Sequence, residues 1–227
     1  MAIKTIIGAR GGSKGIENKN IIDLGGFPLI AYSIVASIRA GLDTYVSTDS
    51  KEIAVIAEEY GAKVIVRPEN LATDTSQDID FIKHALKYIK ADYLVHLRPT
   101  TPFRDPTMIK TAVDEMLDSK ATSMRSAHRV VESPYKFFKI KKGFFQPLLG
   151  SFETSNLPRQ LFEPAYHPNG YIDILDVGSM GKTIHGEKIL PFLTNEVIEI
   201  DREIDLDYAK TKVFKTKIYG LLKQRLT

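Results

Sequence analysis

No cysteine occurs in the 227 residues. Disulfides, thiolate zinc sites and cysteine nucleophiles are therefore excluded. A long apolar run is also missing. The longest, Leu29 to Ile38, carries two serines and is far too short to span a bilayer. No leader pattern of basic, then apolar, then small residues opens the chain, so no membrane association and a cytoplasmic location are expected. Neither sign of charge dominates: Lys and Arg number 31, Asp and Glu 28, for a net charge of +3. That balance, with no evident aromatic stacking platform, argues against nucleic acid as a partner. His84, His96, His128 and His185 form no ligand spacing with one another and read as structural. At 43% hydrophobic residues the chain can bury the core of one globular domain.

The most informative stretch is Ile6-Ile7-Gly8-Ala9-Arg10-Gly11-Gly12-Ser13-Lys14-Gly15, followed by Asn18-Lys19-Asn20. Ile3 to Ile7 reads as a buried strand. Gly11, Gly12 and Gly15 then permit backbone angles that other residues resist, and let peptide N–H groups approach a ligand closely. Such N–H groups in a tight turn form an anion-binding concavity, and Arg10, Lys14 and Lys19 place three cations around it. This chemistry suits a triphosphate. A flexible glycine turn with solvated lysines would have the same composition. The spacing fits neither a Walker A loop nor a dinucleotide fingerprint.

Downstream, strand and helix signals alternate. Pro28 to Ala40 carries Ile30, Ile34 and Ile38 on one helical face and stops at Gly41. Thr44 to Ser47 reads as a strand, and Asp49 or Ser50 as the cap of a helix through Tyr60. Ala62 to Val66 is a third strand, Ser76 to Lys90 a helix, and Tyr93 to Leu97 a fourth strand. Asp105-Pro106 opens a helix to about Leu117. Ser123 to Val131, Tyr171 to Leu175 and Lys188 to Phe192 read as further strands, and a last helix starts near Glu203. The pattern predicts an α/β fold, a mostly parallel sheet with helices on both faces. Its core is expected over 1–132 and 188–227, with an excursion over roughly 133–187.

Ligands of open α/β sheets sit beyond the carboxyl ends of the strands. Besides the glycine loop, Arg67 and the cluster Arg98-Pro99-Thr100-Thr101-Pro102-Phe103-Arg104 fall there. Near the end of the chain, Glu199 and Asp201 alternate across Ile200. In an extended segment both carboxylates face one side, and two carboxylates suit Mg²⁺, which prefers oxygen ligands and substrate phosphates. Acids in the first turn of a helix would look the same.

The string Ala9 to Ile16 with Lys19-Asn20 resembles the opening signature of the acylneuraminate cytidylyltransferases, the CMP-sialic acid synthetase family. Further matches cover nearly the whole chain. Arg67-Pro68-Glu69-Asn70-Leu71-Ala72-Thr73-Asp74-Thr75 resembles the family's segment whose arginine borders the nucleotide. Pro158-Arg159-Gln160 and His167-Pro168-Asn169-Gly170 resemble an acceptor-binding segment, and Glu199 to Asp205 the metal-binding ending. Four residues depart from the pattern. Glu199 stands where aspartate is usual. Arg98 stands for glutamine, Gln77 lies in a usually serine-rich stretch, and His167 replaces arginine.

The resemblance implies a Rossmann-like nucleotidyltransferase fold whose excursion forms a dimerisation lobe in a homodimer. It implies CTP and an acidic, nonulosonic-type sugar as partners and Mg²⁺ as cofactor. Ala9, Arg10, Gly11, Gly12, Ser13, Lys14, Lys19, Asn20 and Arg67 would bind the nucleotide. Arg98, Thr100, Lys136, Arg159, Asn169 and Gly170 would bind the acceptor, with Arg159 the cation for its carboxylate. Glu199 and Asp201 would hold the metal. Catalytic work would fall to Arg10, Lys14, Lys19 and Asp201. The expected reaction is attack of the sugar's anomeric hydroxyl on the α-phosphate of CTP, giving a CMP-sugar and pyrophosphate. A different acidic acceptor, a different nucleotide, or a non-catalytic nucleotide-sugar binding protein are the alternatives.

Overall fold

The strand expected at Ile3 to Ile7 lies at the heart of the molecule. In the computed structural model, which describes residues 1–224, β1 (Ile3–Gly8) pairs in parallel with β4 (Asp43–Thr48) on one side and β6 (Tyr93–Leu97) on the other. Beyond β4 runs β5 (Lys63–Val66), also parallel. Beyond β6 come β10 (Tyr166–Asp176), β7 (Ser123–Arg129) and β11 (Ile189–Leu193), completing seven strands in the order β11-β7-β10-β6-β1-β4-β5. Within this sheet, among the described residues, only β10 runs antiparallel to its neighbours. A two-residue hairpin, β2 (Asp23–Leu24) and β3 (Phe27–Pro28), turns at Gly25 and Gly26, both at positive φ.

Alternation along the strands supplies two apolar faces. Ile6 and Leu94 belong to one cluster, covered by Phe81, Ile82 and Ala85 of α3 (Asp78–Ala85). Ile7 and Val95 belong to the other, covered by α1 (Leu29–Arg39), α2 (Lys51–Glu59), α4 (Pro106–Asp118), α6 (Glu203–Lys212) and α7 (Lys217–Lys223). The caps follow the sequence. Asp105 accepts from the Thr107 N–H with Pro106 behind it, and Ser50 rather than Asp49 caps α2. Leu206, Ala209 and Val213 are buried, whereas Ile38, placed by the sequence pattern on one face with Ile30 and Ile34, is exposed.

The excursion is shorter than expected. Ile172, Ile174 and Leu175 are buried in β10 between β6 and β7, so residues 166–176 belong to the core. What leaves the sheet lies between β7 and β10. It contains the hairpin β8 (Phe138–Lys141) and β9 (Phe144–Pro147), turned at Lys142 and Gly143, and the short α5 (Phe152–Ser155). Ile140, Phe144, Phe145 and Leu161 of this segment are largely exposed. Among the described residues no helix is long and apolar enough to cross a membrane.

Candidate active site

A cleft of about 440 Å³ opens at the carboxyl ends of β1, β5 and β6. The glycine loop forms one wall. Its shape is set from within: the Ala9 N–H donates to the Ser47 carbonyl at 3.0 Å and the Gly11 N–H to Asp49 Oδ1 at 3.0 Å. Asp49 is free for this because Ser50 caps α2. The buried Asn20 donates to the Arg10 carbonyl at 2.9 Å. None of Gly11, Gly12 and Gly15 adopts a positive φ, contrary to expectation; the left-handed residue of the segment is Asn18, at 49°. What Gly15 supplies is closeness. A Cβ there would stand 2.5 Å from the Asp201 carbonyl oxygen, so the loop packs directly on the acidic segment. The N–H groups of Gly12, Ser13 and Lys14 have no hydrogen-bond partner among the described residues.

Arg10, Lys14 and Lys19 all line this cleft, as does Asp201. Each cation has a carboxylate partner. Arg10 and Lys14 share Asp74, at 2.8 and 2.6 Å, and Lys19 meets Asp201 at 2.7 Å. The hydrogen bond from Lys14, with that from Arg10, holds the Asp74 carboxyl below the usual carboxylate range against slight desolvation. Asp74 lay within the sequence motif but carried no assigned role.

Arg67 is buried and bolted to the end of β4. Its Nη2 donates to the Ser47 carbonyl at 2.7 Å and its Nε to Ser47 Oγ at 3.1 Å, while its guanidinium lies 4.4 Å from the centre of the Phe81 ring. Burial lowers its pKa to about 10, which leaves it charged at neutral pH. His96, also buried, is pushed down to about 4 by burial and then by Arg98, so it is neutral there.

Arg98 does not stand free. Its Nη1 donates to Asp173 at 2.7 Å and its Nη2 to Asp78 at 2.8 Å. Asp173 sits on β10, 75 residues away, and is buried. Thr100 lines the cleft, and its carbonyl accepts from the Ile200 N–H at 2.8 Å, tying the loop after β6 to the acidic segment. Arg104 is fully buried and burial lowers its pKa to about 9. It donates to the carbonyls of Thr101, Tyr171 and Gly170 and to Ser33 Oγ. It thus staples the β6 loop to a bulge in β10, where the register shifts between Pro168 and Asp173.

That bulge contains Asn169 and Gly170. Gly170 has φ 63°, and a Cβ there would lie 3.5 Å from Arg98 Cδ and 3.7 Å from Glu199 Oε1. Asn169 turns inward and donates to Thr194 Oγ1 at 2.7 Å. Glu199 opens to an adjoining cavity of about 520 Å³, lined also by His128, His167, Asn169, Glu196 and Asp205. Burial, then the charge of Asp201, raises the Glu199 carboxyl above its usual value. His128 and His167 face each other across the β7–β10 pair, with ring centres 5.6 Å apart. In the sequence His128 forms no ligand spacing with His84, His96 or His185 and reads as structural; its neighbour in space, His167, lies 39 residues on.

Lys136 and Arg159 are not brought to the cleft. Together they line a separate cavity of about 510 Å³ with Phe137 and Glu132.

Comparison with known proteins follows the same outline. Residues 5–220 match the family model described as Cytidylyltransferase. An N-acylneuraminate cytidylyltransferase of Escherichia coli is 33% identical over 92% of this chain, and 51% of that protein is covered. The CMP-N,N'-diacetyllegionaminic acid synthase of Legionella pneumophila is 34% identical, covering 93% of this chain and 95% of its own. The pseudaminic acid cytidylyltransferase of Campylobacter jejuni is 35% identical, with 90% and 93% covered. The chain thus spans about half the length of the Escherichia coli relative and nearly all of the other two. Among solved structures, a CMP:2-keto-3-deoxy-manno-octonic acid synthetase complexed with CTP superposes with a TM-score of 0.71 at 16% identity, over 95% of this chain and 99% of that one. At that identity the likeness speaks for the fold.

Proposed function

The chain belongs to the cytidylyltransferase family, and from that premise we propose that it transfers CMP from CTP to the anomeric hydroxyl of a nonulosonic-type acid, releasing pyrophosphate. The observation that carries this reading is one wall of one cleft. Arg10, Lys14 and Lys19 line it together with Ser13 and Gly15 of the glycine loop at the carboxyl end of β1, beside Asp201. Such a wall supplies donors and positive charge for a triphosphate. Its work is positioning and charge neutralisation, which can lower a barrier without a covalent intermediate.

In this scheme the triphosphate takes Arg10 and Lys14 from Asp74. The glycine loop orients the phosphates, and Arg67 and Phe81 flank the nucleotide. The wall formed by Arg98, Thr100 and Gly170 faces the acceptor. Mg²⁺ fits the acidic segment. Glu199 and Asp201 are near enough for one to raise the other's pKa, a repulsion that a cation would relieve. Among the described residues no third histidine or acid joins them in a metal-holding group, so water and phosphate oxygens would complete the shell. Bound there, the ion would polarise the α-phosphate. Asp201 itself holds Lys19 in register, and the backbone N–H of Ile200 between the two carboxylates ties the segment to Thr100 after β6.

The reaction belongs in the cytoplasm, where CTP is made. We also propose a homodimer built on the exposed hairpin, because Ile140, Phe144 and Phe145 present an apolar surface to water. Lys136 and Arg159, remote from their own cleft, would then serve the partner's. Sedimentation tests this: the wild type should run as a dimer and Ile140→Asp as a monomer, and a monomeric wild type would refute it.

The test of the reaction is pyrophosphate release with CTP and Mg²⁺ across N-acetylneuraminate, N,N'-diacetyllegionaminate, pseudaminate and 3-deoxy-manno-octulosonate. Turnover of a nine-carbon acid is expected. Silence with CTP bound would leave a nucleotide-sugar binding protein. Silence without CTP binding would overturn the reading.

A further inference from the structure

Arg98 stands where the resembled family has glutamine, and a lone arginine beside an acidic sugar invites the reading that it grips the sugar's carboxylate. The structure opposes that. Both Nη atoms are engaged, one by Asp173 and one by Asp78, at 2.7 and 2.8 Å. Two carboxylates against one guanidinium leave this trio with no net positive charge, and Arg67, the further cation acting on Asp78, is buried and held by Ser47 and the Phe81 ring. The neighbouring His96 adds none, because it is neutral at pH 7. Arg125 approaches only the far oxygen of Asp173, at 3.7 Å.

The three side chains differ in what they show to the cleft. Asp173 has a side-chain exposure of 1%, Arg98 of 23% and Asp78 of 43%. Asp78 opens α3, and its Oδ2 takes the bond from Arg98. Its Oδ1 accepts no hydrogen bond among the described residues. Both Asp78 and Arg98 line the cleft, and the stem of Arg98 passes Gly170 beside Glu199. An ionised carboxylate only accepts hydrogen bonds. Asp78 Oδ1 is therefore a free acceptor on this wall that repels anions and selects ligands carrying N–H or O–H groups.

We propose that Asp78 is a specificity-determining residue of the acceptor site: its Oδ1 takes a hydrogen bond from an amide N–H or a hydroxyl on the acceptor sugar, and Arg98, anchored by Asp173, is the positioning residue that aims it. This rests on the cytidylyl-transfer reading and names what that site reads. The acceptor's own carboxylate must then be held elsewhere. The arrangement also explains why Arg98 occurs together with an acid at position 78. The arginine alone would be a buried charge with half its partners, and Asp78 alone would swing freely on the first turn of α3.

The test uses the full-length enzyme with saturating CTP and the best acceptor of the panel, beside an analogue of it lacking one amide or hydroxyl at a time. Asp78→Asn and Asp78→Ser should each raise the acceptor KM by about 10- to 100-fold, the scale of one hydrogen bond to a charged group. The KM for CTP should stay within about twofold, as expected for a group outside the nucleotide contacts. One analogue should be turned over equally by wild type and both variants, and the missing group names the donor: an amide or a hydroxyl. Arg98→Gln should raise the acceptor KM without abolishing discrimination among the analogues. Asp78→Ser serves if Asp78→Asn does not fold. The inference is overturned if the acceptor KM is unchanged, or if the CTP KM rises instead, which would give Asp78 to the base. Wild-type enzyme that releases no pyrophosphate with any acid overturns the underlying reading, and this inference with it.

Discussion

Replacing Gly15 with alanine should damage the reaction far more than the fold. The new Cβ would meet the Asp201 carbonyl oxygen at 2.5 Å, roughly 1 Å inside ordinary van der Waals contact. That neighbour is backbone and cannot rotate away. Gly15 is not at positive φ, so the strain is contact alone and is relieved by parting the loop from the acidic segment. Overpacking of this size costs about 1–3 kcal/mol, a melting shift of roughly 3 to 10 °C in a chain of this length. The same movement would separate Lys14 and Lys19 from the point where Asp201 acts. Misplacement on the order of 1 Å can cost about 100-fold in rate. Gly15→Ala should therefore lose about 100-fold in kcat/KM for CTP while remaining folded by circular dichroism. Gly12→Ala is the control: a Cβ there meets nothing within 4 Å, and its melting temperature should match the wild type. A Gly15→Ala enzyme with wild-type kcat/KM would show that the loop and the acidic segment need not touch, and the reasoning fails.

Asp74→Asn should tighten CTP binding roughly two- to fivefold in calorimetry, because the triphosphate no longer competes with a carboxylate for Arg10 and Lys14; weaker binding would mean that Asp74 organises the cations instead. Arg104→Met should lower stability by about 3–5 kcal/mol in urea unfolding, since the carbonyls of Thr101, Gly170 and Tyr171 lose their donor in a buried setting; a change below about 1 kcal/mol would contradict this. Asp205 at the start of α6 is held at a pKa of about 2, first by the hydrogen bond from the Arg202 side chain and then by the Arg202 backbone N–H. A pKa lowered on folding contributes stability that is present above the unfolded value of about 4 and lost as pH falls through about 2. Thermal melts of wild type and Asp205→Asn should accordingly differ at pH 7 and converge toward pH 2, and a constant gap across that window would refute the assignment.

Much of this was legible beforehand because it rests on short-range patterns. The apolar run Ile3 to Ile7, the caps at Ser50 and Asp105, and the alternation of strands and helices all write themselves within about ten residues. They put the glycine loop, Arg67 and Arg98 at the same end of the sheet. What escaped depends on distance along the chain. Strand β10 was legible from Tyr171 to Leu175, but not its antiparallel place in the middle of the sheet or its start at Tyr166, which the bulge at Asn169 and Gly170 separates from the readable half. Arg98 finds Asp173 75 residues on, and Lys19 finds Asp201 182 residues on. The ion pairs with Asp74 reflect a loop conformation that composition does not encode. Lys136 and Arg159 matched acceptor motifs, yet lie away from their own cleft, a placement that a sequence motif does not record.

The central claim is that the α-phosphorus of CTP ends up on the sugar. Incubating the enzyme with CTP labelled at the α-phosphate, Mg²⁺ and the acid panel, then separating products, tests it most directly. The account predicts label in a sugar nucleotide of the mass of CMP joined to the acid, with unlabelled pyrophosphate in equal amount. Label found only in free CMP or CDP, or remaining in CTP with every acid, would contradict it.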